Sequence, residues 1–216
     1  MKARKLSDIV PAYLGLVLAL PACTAWQVGS SIQEGRAELL MGKPKVALAH
    51  FQRAAELEPN YMLNFSLLPQ GVWTYVGRAY YAQGQFSEAR KAFEQARSRH
   101  QEDNLAKLYL GLVLTRDGNR QQGLKELESG LTGLRDWLNY LEYYHPDGRF
   151  WDSSKRIRSE IKVGLAMISG KDIDWPKLIA SGEWIGKKME EEIDFARIDK
   201  IDERYRNNGD GGGGTN

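Results

Sequence analysis

The feature that most constrains the fold of this chain is a recurring pattern of small and large apolar residues. It is clearest in residues 73–96, WTYVGRAYYAQGQFSEARKAFEQA. Ala89, Phe93 and Ala96 are spaced at i, i+4 and i+7, so they share one face of a helix. Gly77 and the alanines let two helices approach closely, while aromatic side chains fill the space beside them. The segment therefore predicts two closely packed helices.

The same scheme recurs on both sides of this segment, as GRAELLMGKPKVALAHFQRAAELEPN upstream and LGLVLTRDGNRQQGLKELESGL downstream. Phe93 and Leu127 are 34 residues apart, whereas Phe51 and Phe93 are 42 apart. The difference corresponds to an insert, MLNFSLLP, at residues 62–69. A fixed period of this length is typical of stacked repeats, and about three units are needed for a stable stack.

The repeating unit resembles the tetratricopeptide repeat, a 34-residue helix-turn-helix motif. The matching residues of the central unit are Trp73, Val76, Gly77, Tyr80, Gly84, Phe86, Ala89, Phe93 and Ala96. The first unit departs from the pattern at Ser31 and Glu38, and the third has glycine for alanine at Gly123 and Gly130. The resemblance implies an all-α fold, a short solenoid of three repeats over residues 29–135, with units at about 28–61, 70–103 and 104–137.

The third repeat continues into a helical extension, which we expect over residues 136–206. A heptad-like leucine series predicts that its last helix runs to about Tyr144: Leu124, Leu127, Leu131, Leu134, Leu138 and Leu141. Asp152 or Ser153 then caps a helix with one apolar face, formed by Ile157, Ile161, Leu165 and Ile168. A final helix from Asp174 to about Tyr205 has an apolar stripe of Ile185, Met189, Ile193 and Ala196. We expect these helices to cover the open end of the stack, the carboxylates of residues 190–203 to form a solvated face, and the glycine-rich tail, residues 207–216, to be disordered.

The N-terminus has the organisation of a secretory signal. Lys2, Arg4 and Lys5 precede twelve uncharged residues, IVPAYLGLVLAL. Twelve residues are too few to cross a bilayer, which takes about 20 apolar residues. The segment ends at Cys23, the only cysteine of the chain, so neither an intrachain disulfide nor a CxxC pair can form.

Leu20, Pro21, Ala22 and Cys23 resemble the lipobox of bacterial lipoproteins, although Pro21 replaces the usual small residue. The resemblance implies that residues 1–22 are a signal peptide removed by cleavage. It also implies that Cys23 carries diacylglycerol and an amide-linked acyl chain such as palmitate, with residues 23–28 as the anchored N-terminus. Thr24, where an aspartate would signal inner-membrane retention, then favours the outer membrane, facing the periplasm. The alternative is an ordinary cleaved signal that leaves Cys23 as a free thiol.

The charge balance and the motifs restrict the function of the body. Cleavage removes three basic residues and one acidic residue from totals of 30 and 28, so the mature side chains have no net charge. This disfavours nucleic acid as a partner. No catalytic, cofactor or metal motif is present. The alternative is an enzyme with a site between the stack and the C-terminal helices, at His145, Asp147 and Asp152. Another is self-association along the leucine series.

The repeat resemblance implies a concave groove that binds a protein or peptide. The family's groove positions correspond to Arg36, Leu40, Thr74, Arg78, Tyr81, Leu108, Leu112 and Arg116. Arg36 and Arg78 beside Tyr81 suit an acidic or C-terminal peptide segment. An equally favoured alternative is that both arginines pair with carboxylates of their own chain. If they bind a partner instead, reversing both charges should weaken partner binding and leave the helix content intact.

Two apolar groups are each open to a packing role and a docking role. The insert fills a gap in the stack or forms an exposed patch, and filling is favoured because exposure would invite aggregation. For the aromatic residues between 137 and 151, core packing is favoured. The sequence as a whole predicts a lipid-anchored envelope adaptor or scaffold that binds protein partners and assists assembly of an envelope complex.

Overall fold

The computed structural model describes the backbone of residues 10–63 and 67–209 and the side chains of residues 24–63 and 67–203. The cleavage and lipidation predicted for residues 1–23 involve side chains outside these ranges. Residues 210–216, which make up most of the tail that we expected to be disordered, also lie outside them. Among the described helices, none combines the length and hydropathy that a membrane crossing requires.

The described part of the chain is built from eight α-helices, which confirms the predicted all-α fold. The helices are α1 (Val10–Leu40), α2 (Pro44–Leu57), α3 (Val72–Ala82), α4 (Phe86–Arg99), α5 (Asn104–Arg116), α6 (Arg120–Tyr144), α7 (Arg156–Ile168) and α8 (Trp175–Gly209). Two short antiparallel strands, β1 (Met62–Leu63) and β2 (Gln70–Gly71), flank the insert, and a 3-10 turn spans Gly148–Phe150.

Three helix pairs, α1–α2, α3–α4 and α5–α6, form the repeats. Within the first two pairs, a glycine of the first helix lies against a phenylalanine ring of the second. A Cβ placed on Gly35 would lie 2.4 Å from the ring of Phe51, and one on Gly77 would lie 2.5 Å from that of Phe93. The glycines therefore set the separation of the paired helices, as the repeat pattern predicts.

The antiparallel pairs give the stack two distinct ends. The turn end carries the tight turns of the three repeats, at Gly42, Gly84 and Gly118. The loop end carries the N-terminal ends of α1, α3 and α5 and the C-terminal ends of α2, α4 and α6. This distinction matters because each end presents a different surface.

The insert between the first two repeats packs against the stack. Leu63 and Leu68 are buried, whereas Met62 and Leu67 are half-buried. Phe65 lies outside the described residues. The favoured prediction, that the insert fills a gap, is confirmed at Leu63 and Leu68.

The leucine series of α6 is inside the core of this chain. Leu127, Leu131, Leu134, Leu138 and Leu141 are buried, in one cluster with residues of α5, α7 and α8. The series is therefore not a surface that a second copy could share. The tyrosines that follow it, near the end of α6, are exposed, so the prediction of core packing is wrong for this part of the aromatic group.

The two C-terminal helices have the predicted apolar faces. Asp152 accepts hydrogen bonds from the backbone N–H groups of Ile157 (2.9 Å) and Arg158 (3.0 Å) and so satisfies the start of α7. The predicted stripe of α8 is buried: Ile185, Met189, Ile193 and Ala196. The expectation that both helices cover the open end is only partly right. α7 packs on α6 and extends the stack, whereas α8 returns across α5 along its concave side.

Candidate functional site: the groove and its occupant

α8 lies in the concave groove and runs antiparallel to α1. Arg36 of α1 contacts Glu190 and Asp194 of α8, while Leu40, one turn later, lines a cleft together with Glu183 and Lys187. As α1 advances, its partners therefore come from progressively earlier turns of α8. A helix of this chain fills the space where the repeat pattern predicts a partner.

A buried ion cluster fixes α8 to the first two repeats. The carboxylate of Glu190 accepts hydrogen bonds from Arg36, from Arg78 (2.5 Å) and from the amide of Gln70 (3.1 Å). The side chains of Arg36, Arg78 and Glu190 are 4%, 6% and 2% exposed. Asp194, which is only partly buried, accepts a further hydrogen bond of 3.3 Å from Arg36. Two guanidinium groups from different repeats thus share one carboxylate.

The cluster keeps its members charged despite their burial. Burial alone would raise the pKa of Glu190, but the charges of Arg78 and Arg36 outweigh it and lower that pKa. Burial would likewise lower the pKa of each arginine, and the carboxylate of Glu190 raises both instead. The ionic form of this cluster is therefore the stable one at neutral pH.

A second polar contact fixes the beginning of α8 to the second and third repeats. The hydroxyl of Tyr81 donates to Glu183 (2.6 Å) and accepts from Nε of Arg116 (2.9 Å). Arg116 also donates to Glu183 (2.7 Å), which closes a triangle of three side chains. Burial, together with the hydrogen bond to Glu183, raises the pKa of Tyr81.

Two glycines bring α8 close to α5. A Cβ on Gly182 would lie 2.8 Å from Leu112, and a Cβ on Gly186 would lie 2.6 Å from the hydroxyl of Tyr109. Because Tyr109 is also stacked on the ring of Phe93, it has little freedom to move aside. α8 therefore complements the groove in shape, through its contact with α5, as well as in charge.

One predicted groove residue has a different place. Thr74 is fully buried and donates a hydrogen bond of 2.6 Å to Asp103. Asp103 also accepts from the backbone N–H groups of Gly71 (2.8 Å) and Ala106 (2.9 Å), and it is the N-cap of α5. Burial raises the pKa of Asp103, and these hydrogen bonds partly offset the rise. Thr74 thus joins two repeats rather than facing the groove.

Comparison with known families supports the repeat assignment. Residues 77–130 match the family model of the tetratricopeptide repeat. This segment is a tetratricopeptide repeat region. The matched segment covers most of α3 together with α4, α5 and the first half of α6. No curated protein matches the chain.

Tetratricopeptide repeats suggest protein binding. The contacts of the predicted groove residues show which of these positions α8 covers. Of the eight predicted positions, Arg36, Arg78, Tyr81, Leu108, Leu112 and Arg116 lie against α8 or its ion clusters. Arg36 and Arg78 both pair with Glu190, so the structure shows the alternative in which these arginines pair with carboxylates of their own chain. Partner binding at the eight positions stays a prediction, and at these six it would compete with α8.

The occupant of the groove is what sequence reasoning missed. The carboxylates of residues 190–203 were expected on a solvated face, but Glu190 is buried. A signal was present in the sequence, because Glu183, Glu190 and Asp194 share one helix face with Gly182 and Gly186. Charge complementary to the arginines of the groove, on a face that also carries small residues, could have identified α8 as its ligand.

Part of the groove remains open at the turn end. A cleft of about 320 Å³ lies between the ends of α1 and α3 and the beginning of α8. Its lining includes three predicted groove residues, Leu40, Arg78 and Tyr81, together with Leu39, Gly42, Ala82, Tyr109, Glu183 and Lys187. Leu40 is 39% exposed, and Met41 beside it is 59% exposed.

The residues suggested for an enzymatic site have separate structural contacts. His145 accepts a hydrogen bond from the backbone N–H of Asp147, and the carboxylate of Asp147 pairs with Lys200 at 2.5 Å. Asp152 is buried at the start of α7 and also pairs with Arg158. Within the described residues, no group of three or more His, Cys, Asp or Glu side chains is placed to hold a metal ion. Each of the three residues therefore has a structural contact of its own.

Proposed function

We propose that this protein is a lipid-anchored envelope adaptor that binds a segment of a protein partner in the cleft at the turn end. The observation that carries the proposal is the position of this cleft. It is the part of the repeat groove that α8 leaves open, and its lining retains three of the groove positions expected from the family. In this proposal the adaptor assists assembly of an envelope complex.

The chemistry of the cleft favours a segment with an apolar side chain followed by a carboxylate. Leu39 and Leu40 offer apolar contact beside the ring of Tyr109. Lys187, whose side chain is 69% exposed, lies at the rim and can pair with a carboxylate. Its partner within the chain is Glu191 at 3.8 Å on the same helix, and an acidic side chain or a C-terminal carboxylate could form a shorter pair with it. Arg78 is already paired with Glu190 and contributes mainly to the shape of the cleft.

The anchor is proposed from the sequence around Cys23, and we place it in the outer membrane, facing the periplasm. Cys23 belongs to α1, and the cleft lies beyond the other end of the same helix. Seventeen residues separate Cys23 from Leu40, about 26 Å along a helix at about 1.5 Å per residue. The proposed partner site thus faces away from the lipid.

The anchor can be tested by growing cells with labelled palmitate and comparing the wild-type chain with Cys23→Ser. We expect label and membrane fractionation for the wild type and neither for the variant. A wild-type chain that is secreted without label would refute the anchor. The adaptor part of the proposal would then have to stand on the partner experiment.

The partner site can be tested by crosslinking in the envelope, followed by purification and mass spectrometry. We compare the wild type with Leu40→Glu and Lys187→Glu, which alter exposed positions of the cleft. Val46→Glu is the matched control, because Val46 is 46% exposed on α2 and does not line the cleft.

We expect one partner to be captured by the wild type and by Val46→Glu, and to be lost at least tenfold in both cleft variants. Equal capture by all four chains would place partner binding outside the cleft. Equal loss in Val46→Glu would indicate a general effect of added negative charge rather than a site.

A further inference from the structure

Exposed large apolar side chains are concentrated at the loop end of the stack. Among the described residues, those at or near this end are Trp26, Leu57, Tyr140, Tyr143, Tyr144, Phe195, Ile198 and Ile201. They come from four helices, α1, α2, α6 and α8. Clusters of this kind usually mark a contact surface rather than chance exposure.

The antiparallel register of α1 and α8 brings two parts of this cluster to the same level. Arg36 contacts Asp194, Trp26 lies ten residues before Arg36, and Ile201 lies seven residues after Asp194. At about 1.5 Å per residue, both side chains lie beyond the ion cluster in the same direction, by about 15 Å and 10 Å. Trp26 on α1 and the exposed apolar residues of α8, which are Phe195, Ile198 and Ile201, therefore lie at the same end of the molecule.

The end of α8 is also joined to the end of α6. Lys200 pairs with Asp147 (2.5 Å), and Arg149 pairs with Glu203 (2.6 Å), so both ion pairs connect α8 to the turn after α6. The exposed tyrosines stand on the last turns of α6, directly before this turn. Trp26, the tyrosines of α6 and the exposed apolar residues of α8 thus lie at the same end of the stack.

The tyrosines form an ordered aromatic group. Tyr140 stacks on Trp137 with ring centroids 5.3 Å apart, and Tyr144 follows with its centroid 5.4 Å from that of Tyr140. Tyr143 is 83% exposed. Tyrosine and tryptophan combine an apolar ring with a polar tip, and they prefer the boundary between water and lipid.

We propose that this loop-end surface rests on the bilayer, with its aromatic rings at the level of the lipid headgroups. The inference rests on the proposed anchor at Cys23. Cys23 lies three residues before Trp26 on the same helix, about 4.5 Å along its axis. A lipid attached there must enter the membrane at this end, and the surface around it is the one that meets the headgroups.

The composition of the surface indicates a shallow contact. Arg149 and Arg197 are exposed there, each paired with a carboxylate of α8, and Asp199 and Asp202 are exposed beside Phe195, Ile198 and Ile201. These charged groups resist insertion into the acyl chains, so the aromatic and apolar side chains reach only the headgroup level. The surface therefore orients the body on its anchor and directs the cleft of the turn end away from the membrane.

The orientation can be measured without depending on lipidation by the cell. Cys23 is the only cysteine, so the chain from residue 23 onward, which is the proposed mature form, can be coupled through its thiol to a maleimide lipid in vesicles of phosphatidylethanolamine and phosphatidylglycerol. Hydroxyl-radical footprinting with mass spectrometry then compares the coupled chain with uncoupled Cys23→Ser in solution. The readout is oxidation of Tyr143, Tyr144 and Phe195, with Met41 at the turn end as the internal control.

We expect oxidation of Tyr143, Tyr144 and Phe195 to fall at least threefold on vesicles, while Met41 is unchanged. Tyr143→Glu combined with Tyr144→Glu should abolish the protection of Phe195, and Met41→Glu should leave it intact. Unchanged oxidation of the wild type on vesicles would overturn the proposal. So would protection of these residues in uncoupled Cys23→Ser, which would indicate a second copy, or protection only in native envelopes, which would indicate a protein. The vesicle measurements do not depend on whether the cell acylates Cys23.

Discussion

Arg78 donates a hydrogen bond of 2.5 Å to Glu190, a residue 112 positions further along the chain. Arg36, from the preceding repeat, donates to the same carboxylate. This arrangement converts two cations of a binding groove into internal contacts. It explains why α8 covers the groove around Glu190, while the cleft at the turn end lies beyond the cluster.

The first prediction concerns the stability that Glu190 provides. Glu190→Gln leaves the buried guanidinium of Arg78 without its carboxylate partner and leaves Arg36 with only the partly buried Asp194, so we expect the free energy of unfolding to fall by about 3–5 kcal/mol. Urea denaturation measures it. Glu94→Gln is the matched control, because Glu94 pairs with Arg90 on the surface of α4 and its loss should cost about 0.5 kcal/mol. A cost for Glu190→Gln as small as that of the control would contradict this role of the cluster.

The second prediction concerns acid pH. The pKa of Glu190 is lowered in the folded state from a usual value of 4.5. Its stabilisation is therefore complete above pH 4.5 and is lost as the pH falls below that value through the folded pKa. Asp103 and Glu192, whose pKa values burial raises, act in the opposite direction.

Because Asp103 and Glu192 are common to both proteins, the difference in stability between the wild type and Glu190→Gln isolates Glu190. We expect this difference to shrink when urea titrations are repeated from neutral pH to about pH 3. A difference that stays constant over this range would show that the protonation of Glu190 is not linked to folding.

The third prediction concerns the contact between α5 and α8. Gly186→Ala places a methyl group 2.6 Å from the hydroxyl of Tyr109, and we expect it to lower the free energy of unfolding by about 1–3 kcal/mol. Gly29→Ala on α1 is the control, since its nearest neighbour is the hydroxyl of Tyr61 at 3.8 Å, an ordinary contact distance. Because alanine favours a helix over glycine by up to about 1 kcal/mol, the control should be neutral or stabilising. Equal stability of the two variants would show that α8 does not need this close approach.

The fourth prediction corrects an expectation from the sequence. Arg36→Glu combined with Arg78→Glu would place three carboxylates in one buried site, so we expect α8 to leave the groove. Hydrogen exchange should accelerate at least tenfold in the amides of residues 183–196, with lost helical circular dichroism. Arg90→Glu, at an exposed position of α4, should change neither measurement. If α8 keeps its protection in the double variant, the ion cluster is not what holds it.

A loss of partner binding in that double variant would therefore not locate the partner. The same loss would follow from displacement of α8 alone. Leu40→Glu and Lys187→Glu avoid this ambiguity because both residues line the open cleft and neither belongs to the cluster around Glu190.

The sequence by itself determined the repeats, because their pattern lies within single helices and pairs of neighbouring helices. Gly35 opposite Phe51 and Gly77 opposite Phe93 are contacts over 16 residues, and the spacing of small and large side chains is enough to predict them. The apolar stripe of α8 could be predicted for the same reason. The spacing of Ile185, Met189, Ile193 and Ala196 indicates that one face of α8 is buried.

Only the tertiary structure decided which surface buries that face. The contacts that hold α8 join residues separated by 67 to 158 positions, such as Arg116 with Glu183 and Arg36 with Asp194. Helical periodicity carries no information about such pairs. They depend on the matching of charge and shape between remote segments, and that matching placed a helix of the chain itself in the groove.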